Sequence, residues 1–189
     1  MEEIFCCFIG HREIETTEDL IDRLYSTLKN LIVDKKVNRF IFGSESRFDS
    51  LCHEIVTALK ESYPHVKRIS FPLPSEYSVF ENELSEKERL LSAVLKKPVK
   101  LRGFESVFKN DELKYAGKAS YVERNNRMID RSDYCVFYYD PDYLPKTKKT
   151  IGKSPFSEFY PSRNSGTKSA YLYALKKHKC IINLFKKIT

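Results

Sequence analysis

The sequence lacks the patterns by which several large classes of protein announce themselves. It has no apolar run of membrane-spanning length; the longest are strand-sized. It has no H-E-x-x-H and no Cys/His cluster at metal-ligand spacing, so neither a structural metal nor a metal cofactor is expected. The five cysteines form no C-x-x-C pair and their number is odd, which argues for buried, reduced thiols over a disulfide framework. Cys6 and Cys7 are adjacent on a strand and should point to opposite faces, which places them badly to share a metal. Only six glycines occur, and they build neither a Walker loop nor a G-x-G-x-x-G fingerprint. The start, Met-Glu-Glu-Ile-Phe-Cys, has no basic n-region, so a cytoplasmic location is expected. No repeat, low-complexity tract or interior linker divides the chain.

The 189 residues are enough to bury a core without staples, and 41% hydrophobic with 31% charged residues is ordinary for a globular domain. A net charge of +7 suits an anionic ligand or nucleic acid. Much of the excess lies late, at Lys146, Lys148, Lys149, Lys153, Lys176, Lys177, Lys179, Lys186 and Lys187. A solvated basic surface accounts for these equally well.

Strand-like runs alternate with helical ones. Residues 3–9, 38–42, 66–71, 134–139 and 180–185 read as strands. Helical spacing follows Thr17, an N-cap candidate, and recurs in a helix beginning near Asp49 and in the charged stretch 82–97. It returns over residues 121–131 and 166–177. Residues 98–120 give no clear period, and 140–163 read as a long loop with four prolines and a lysine cluster. The alternation predicts one α/β domain over 1–189, a Rossmann-like three-layer α/β/α with a mostly parallel sheet.

Three segments fall where a strand gives way to a helix, and in an open α/β sheet such loops share one crevice. Gly10-His11-Arg12 follows the first strand; Gly10 permits close backbone approach, Arg12 suits a phosphate, and His11 could cap, stack on a base or exchange a proton. Gly43-Ser44-Glu45-x-x-Phe48-Asp49 follows the second, with an anion-binding turn at Gly43 and Ser44. Glu45 would be repelled by phosphate and better suits a ribose hydroxyl or a base at a sugar carbon; Asp49 reads as its support or as a helix cap. Ser165-Gly166-Thr167 opens the last helix, as an anion site or an ordinary cap. A fourth segment lies within a helix: Tyr121, Arg124, Asn125 and Met128 fall on one side, a stripe suited to a nucleobase with a phosphate nearby, or to plain packing with Arg124 in water. Asp130 and Asp133 precede a strand at its amino end and read as turn formers away from the site.

In this order the segments resemble the SLOG superfamily, the group that includes the DprA and Lonely Guy proteins, and most closely its YpsA-like branch. The residues that carry the likeness are Ile9 to Arg12, Gly43 to Asp49, Tyr121-x-x-Arg124-Asn125-x-x-Met128 and Ser165-Gly166-Thr167-x-x-x-Tyr171. The resemblance implies a nucleotide or nucleotide-derived ligand, ADP-ribose-like, at the strand carboxyl ends. It also implies a sensing role with a link to phage defence by analogy, and a tendency to pair as a homo-oligomer, for which 82–97 is a candidate contact. Alternatives remain an N-glycosidic hydrolase or transferase using Glu45, and a DprA-like single-stranded nucleic-acid binder. The Lonely Guy signature carries a glutamate where this sequence has Ala170, which counts against that family's hydrolysis.

Overall fold

The computed structural model describes residues 2–43, 46–73, 103–108, 118–143 and 165–186. Among them the strands are β1 (Phe5–Gly10), β2 (Arg39–Phe42), β3 (Lys67–Ser70), β4 (Ser106–Val107), β5 (Tyr134–Tyr138) and β6 (Cys180–Asn183). The helices are α1 (Glu18–Val33), α2 (Arg47–Ser62), α3 (Lys118–Arg131) and α4 (Gly166–Lys176). All five strand pairings are parallel, in the order β4-β3-β2-β1-β5-β6. This is a Rossmann-like α/β fold.

The alternation of side chains along β1 divides the core. Cys6 and Phe8 point to one face, with Phe40, Phe42 and Val136, and are covered by Leu20, Leu24, Leu28 and Leu31 of α1 and Leu51, Cys52, Ile55 and Val56 of α2. Cys7 and Ile9 point to the other, with Ile41, Cys135 and Phe137, beneath Met128 and Ile129 of α3 and Ala170 and Ala174 of α4. Both faces of the central strands are thus buried, which is why they read as unbroken apolar runs. The small residues of α4 let its backbone approach the sheet.

Thr17 caps α1, its Oγ1 accepting from the Leu20 amide at 3.2 Å, as its sequence predicts. Other boundaries move. Helix α3 begins at Lys118 rather than 121, and the ambiguous 98–120 stretch supplies the two-residue edge strand β4. Strand β6 stops at Asn183 because the Asn183 amide replaces the ladder, accepting from the Tyr139 N–H at 3.0 Å and donating to the Tyr139 carbonyl at 2.9 Å. Cys180 was expected among the buried thiols and is exposed, because β6 is an edge strand; Cys6, Cys7, Cys52 and Cys135 are buried. The expected helix at 82–97 and most of the loop at 140–163 lie outside the described residues.

Candidate functional site at the strand carboxyl ends

The chain moves from β1 outward to β2 and β3 on one side, and from β5 to β6 on the other. Helices α1 and α2 therefore cover one face while α4 covers the opposite one. Between β1 and β5 the winding reverses, and the crevice of an open α/β sheet forms at the carboxyl ends of such a pair. The register Gly10↔Tyr138 puts Gly10-His11-Arg12 directly across from Tyr138, Tyr139 and Asp140.

Gly10 is required by packing. A Cβ there would meet the Phe48 ring at 2.4 Å, so the start of α2 sits hard against the end of β1. The Arg47 amide donates to the Arg12 carbonyl at 2.9 Å and fixes the loop to that helix. The N-cap of α2 is Ser46, whose Oγ accepts from the Asp49 amide at 3.1 Å; Asp49 is buried in the first turn, where the helix dipole suits its carboxylate. Ser44 and Glu45 lie outside the described residues.

The same logic holds at the end of β2. A Cβ on Gly43 would lie 2.3 Å from Met128 Sδ and 3.2 Å from Arg124 Nε. Gly43 thus makes room for α3, and in doing so admits a guanidinium to the strand ends. Arg124 is only 2% exposed and ranks with the largest fully buried side chains of the protein. Its guanidinium lies over the Tyr121 ring, 5.2 Å from the centroid. The stripe expected on this helix therefore splits. Met128 and Phe48 are buried packing residues that set the places of Gly43 and Gly10, Tyr121 is exposed, and Asn125 is half-buried.

His11 is buried and its ring is engaged on two sides. Its Nε2 accepts from the Asp140 amide at 3.0 Å, and Tyr143 stacks on its face at 3.8 Å. An accepting Nε2 means a neutral ring protonated on Nδ1. Burial lowers the His11 pKa, and the nearby Asp140 carboxylate opposes this only in part. Arg12, by contrast, is exposed.

At the opening of α4, Ser165 Oγ accepts from the Lys168 amide at 3.1 Å and Thr167 is buried. Among the described residues nothing stands within 4 Å of where a Gly166 Cβ would lie, so their packing does not explain that glycine. One turn on, Tyr171 stacks on Tyr139 at 4.6 Å, which joins this helix to the crevice wall. The fold thus brings Gly10 to Arg12 against α2, and Gly43 against Arg124 and Tyr121, with α4 tied in through Tyr171.

Tyr139, Asp140 and Tyr143 were missed as site residues by sequence reasoning. Their one signal was the turn-forming Asp-Pro-Asp directly after a strand. Asp130 and Asp133 lie where expected, at the amino end of β5: Asp133 Oδ2 accepts from the Phe5 amide at 2.9 Å, and Asp130 accepts from the Tyr173 hydroxyl at 2.9 Å. A separate cleft of about 390 Å³ lies between α1 and the end of β6, lined by Asp22, Arg23, Ser26, Thr27, Asn183, Leu184 and Lys186, and holds none of the candidate residues. Among the described residues no group of three His, Cys, Asp or Glu side chains could hold a metal ion, and no helix is long and apolar enough to cross a membrane.

A solved structure of DNA processing protein A from Helicobacter pylori, described for its single-stranded DNA binding mode, superposes with a TM-score of 0.47 at 15% identity, over 94% of this chain and 63% of that one. This chain thus spans less than two thirds of that protein's length. No curated protein matches. The family model described as the YspA SLOG family (YpsA) matches residues 10–163, well over half of the chain, and takes in every candidate segment but the opening of α4. The protein belongs to the YpsA family of SLOG proteins.

Proposed function

We propose that the protein binds a nucleotide or nucleotide-derived ligand, of the ADP-ribose type, at the carboxyl ends of its central strands. The observation that carries this reading is Arg124: a guanidinium brought into a nearly closed position at the end of β2, seated by Gly43 and backed by the Tyr121 ring. A fixed cation beside strand-end backbone suits a phosphate, and an aromatic ring beside it suits a ribose or base. The open space over Gly166, at a capped helix start, gives a second place for anionic oxygen to approach.

Membership of the SLOG family supports the reading coarsely. Binding without turnover would make the protein a sensor. Turnover would favour Glu45 as the carboxylate at the glycosidic carbon, with Asp49 in support. The nucleic-acid reading would rest on the lysines of the 146–153 loop, which lies outside the described residues, and on the C-terminal lysines, of which Lys176, Lys177 and Lys186 are exposed. Lys177 already pairs with Asp130 at 3.4 Å, at the amino end of β5 and away from the crevice.

The test is thermal stability with AMP, ADP, ATP, NAD, ADP-ribose and short single-stranded DNA, with product analysis of each hit. A ligand at about a hundred times its Kd should stabilise the fold by about 2.7 kcal/mol and raise Tm by several degrees. The shift should disappear in Arg124→Ala and shrink in Gly166→Asp. A shift with DNA alone, steeply weakened by salt, would overturn the nucleotide reading.

A further inference from the structure

One hydrogen bond and one ring stack join the end of β1 to the turn after β5 across their crevice. Asp140 and Tyr143 approach His11 together because they belong to one tight turn. The Tyr143 amide donates to the Asp140 carbonyl at 3.2 Å, and the Asp142 amide donates to Asp140 Oδ1 at 2.9 Å. The Asp140 side chain thus shapes the turn, its amide ties the turn to His11 Nε2, and Tyr143 covers the imidazole face. The contact joins residues 129 positions apart in the chain, one at the end of each strand flanking the crevice.

We propose that His11 and the turn 140–143 form a proton-sensitive latch across the β1–β5 crevice, closed while His11 is neutral and released when it gains a proton. The reason is one lone pair. Nε2 accepts the Asp140 N–H only while unprotonated, and a proton on Nε2 puts two donors face to face. Protonation therefore destroys the bond that holds the turn.

Several groups bear on the sign. The Asp140 carboxylate favours the cation, and it is the charged group that acts on His11 most directly. Tyr139, 6.2 Å from the His11 ring, and Tyr143, stacked on it at 3.8 Å, are the rings that face it from the β5 side. Helix α2 carries Arg47 and Asp49 in its first turn, Arg12 is next in sequence, and α4 presents Tyr171 behind Tyr139. Burial outweighs the carboxylate, so the closed latch holds the neutral ring more strongly than water does. Closure is complete above pH about 6.5, the ordinary value for histidine, and weakens as pH falls from there toward the lowered closed-state value. The latch stands whatever the crevice binds; its effect on ligand entry rests on the function proposed above.

The experiment needs no ligand. Hydrogen-exchange protection of the Asp140 amide is followed from pH 7.5 to 5, corrected for intrinsic exchange, with the His11 ring followed by NMR in the same samples. Protection should fall by up to roughly tenfold per pH unit below 6.5 and level off where His11 itself titrates, at its lowered value. In His11→Gln, whose side-chain carbonyl can accept the same N–H and does not titrate, protection should be flat with pH. Tyr143→Leu should raise the His11 pKa toward its ordinary value. Constant protection from pH 6.5 down to the observed His11 midpoint, or an equal fall in His11→Gln, overturns the proposal. Because the readout is local and ligand-free, failure of nucleotide binding leaves this result intact and distinguishable.

Discussion

At the scale of single residues, three glycines look alike in sequence and are held for different reasons. Gly10 and Gly43 exist so that Phe48, Met128 and Arg124 can reach the strand ends; Gly166 faces open space. Gly10→Ala should therefore cost about 1–3 kcal/mol, read as a lower midpoint in urea, because a methyl group meets the Phe48 ring and its Cβ, and Gly43→Ala should cost less, because the flexible ends of Met128 and Arg124 can give way. Gly43→Ala should also lower nucleotide affinity by moving Arg124. Gly166→Ala should leave the midpoint within about 0.5 kcal/mol. If it also weakens ligand binding, the space over Gly166 belongs to the ligand. Cysteine gives a second residue-scale prediction. Four thiols are buried; burial raises the pKa of Cys6 and Cys52, and the hydrogen bond with Cys7 together with burial raises that of Cys135, so the reactive thiolate is suppressed. A thiol reagent should consume one equivalent in the native protein, at Cys180, and five in denaturant.

At the scale of elements, the edge strand β4 is the weakest on paper, with two residues and one neighbour. An ion pair compensates. Glu105, just before it, receives Arg68 Nη2 at 2.7 Å and the Arg68 backbone amide at 2.6 Å, while Arg68 Nη1 donates to Thr57 at 2.6 Å. Lys60 stands 3.8 Å from the same carboxylate. Burial pushes the Glu105 carboxyl up, but the hydrogen bonds and charge of Arg68 outweigh it and hold the pKa below its ordinary 4.5. A lowered carboxyl pKa contributes stability above about 4.5 that is lost as pH falls through the folded value. Glu105→Gln should destabilise by about 1–3 kcal/mol at pH 7, less than for a fully buried pair since Glu105 is partly exposed, and should flatten the loss of stability below pH 4.5.

The same element shows where sequence reading stops. Strands buried on both faces announce themselves by apolar runs, and α1 by its cap and period, so the core sheet and its parallel order were legible. A two-residue strand held by a distant arginine has no local signal. The site divides the same way. Gly10, Gly43, Arg124 and the Ser165 cap were legible as types in place, but the burial of Phe48 and Met128 and the closure of His11 by Tyr143 depend on contacts between far parts of the chain.

At the scale of the whole molecule, the sheet is stitched from two runs of strands that meet at β1 and β5. The first, β1 to β4, is complete by Val107, with three of its strands in place by Ser70; the second waits for Tyr134. The pairing Cys6↔Tyr134 must close a span of about 130 residues, while β1–β2 and β2–β3 close much shorter ones. Non-local parallel pairing is slow, so refolding should show the α1–α2 side protected against exchange before the β1–β5 amides are. During synthesis the first three strands can collapse with one edge of β1 bare. That edge is a template for any other strand until β5 arrives. The seam at which the crevice lies is thus expected to close only after the first strands have paired, and a ligand lying across it would act as a clasp on the finished fold.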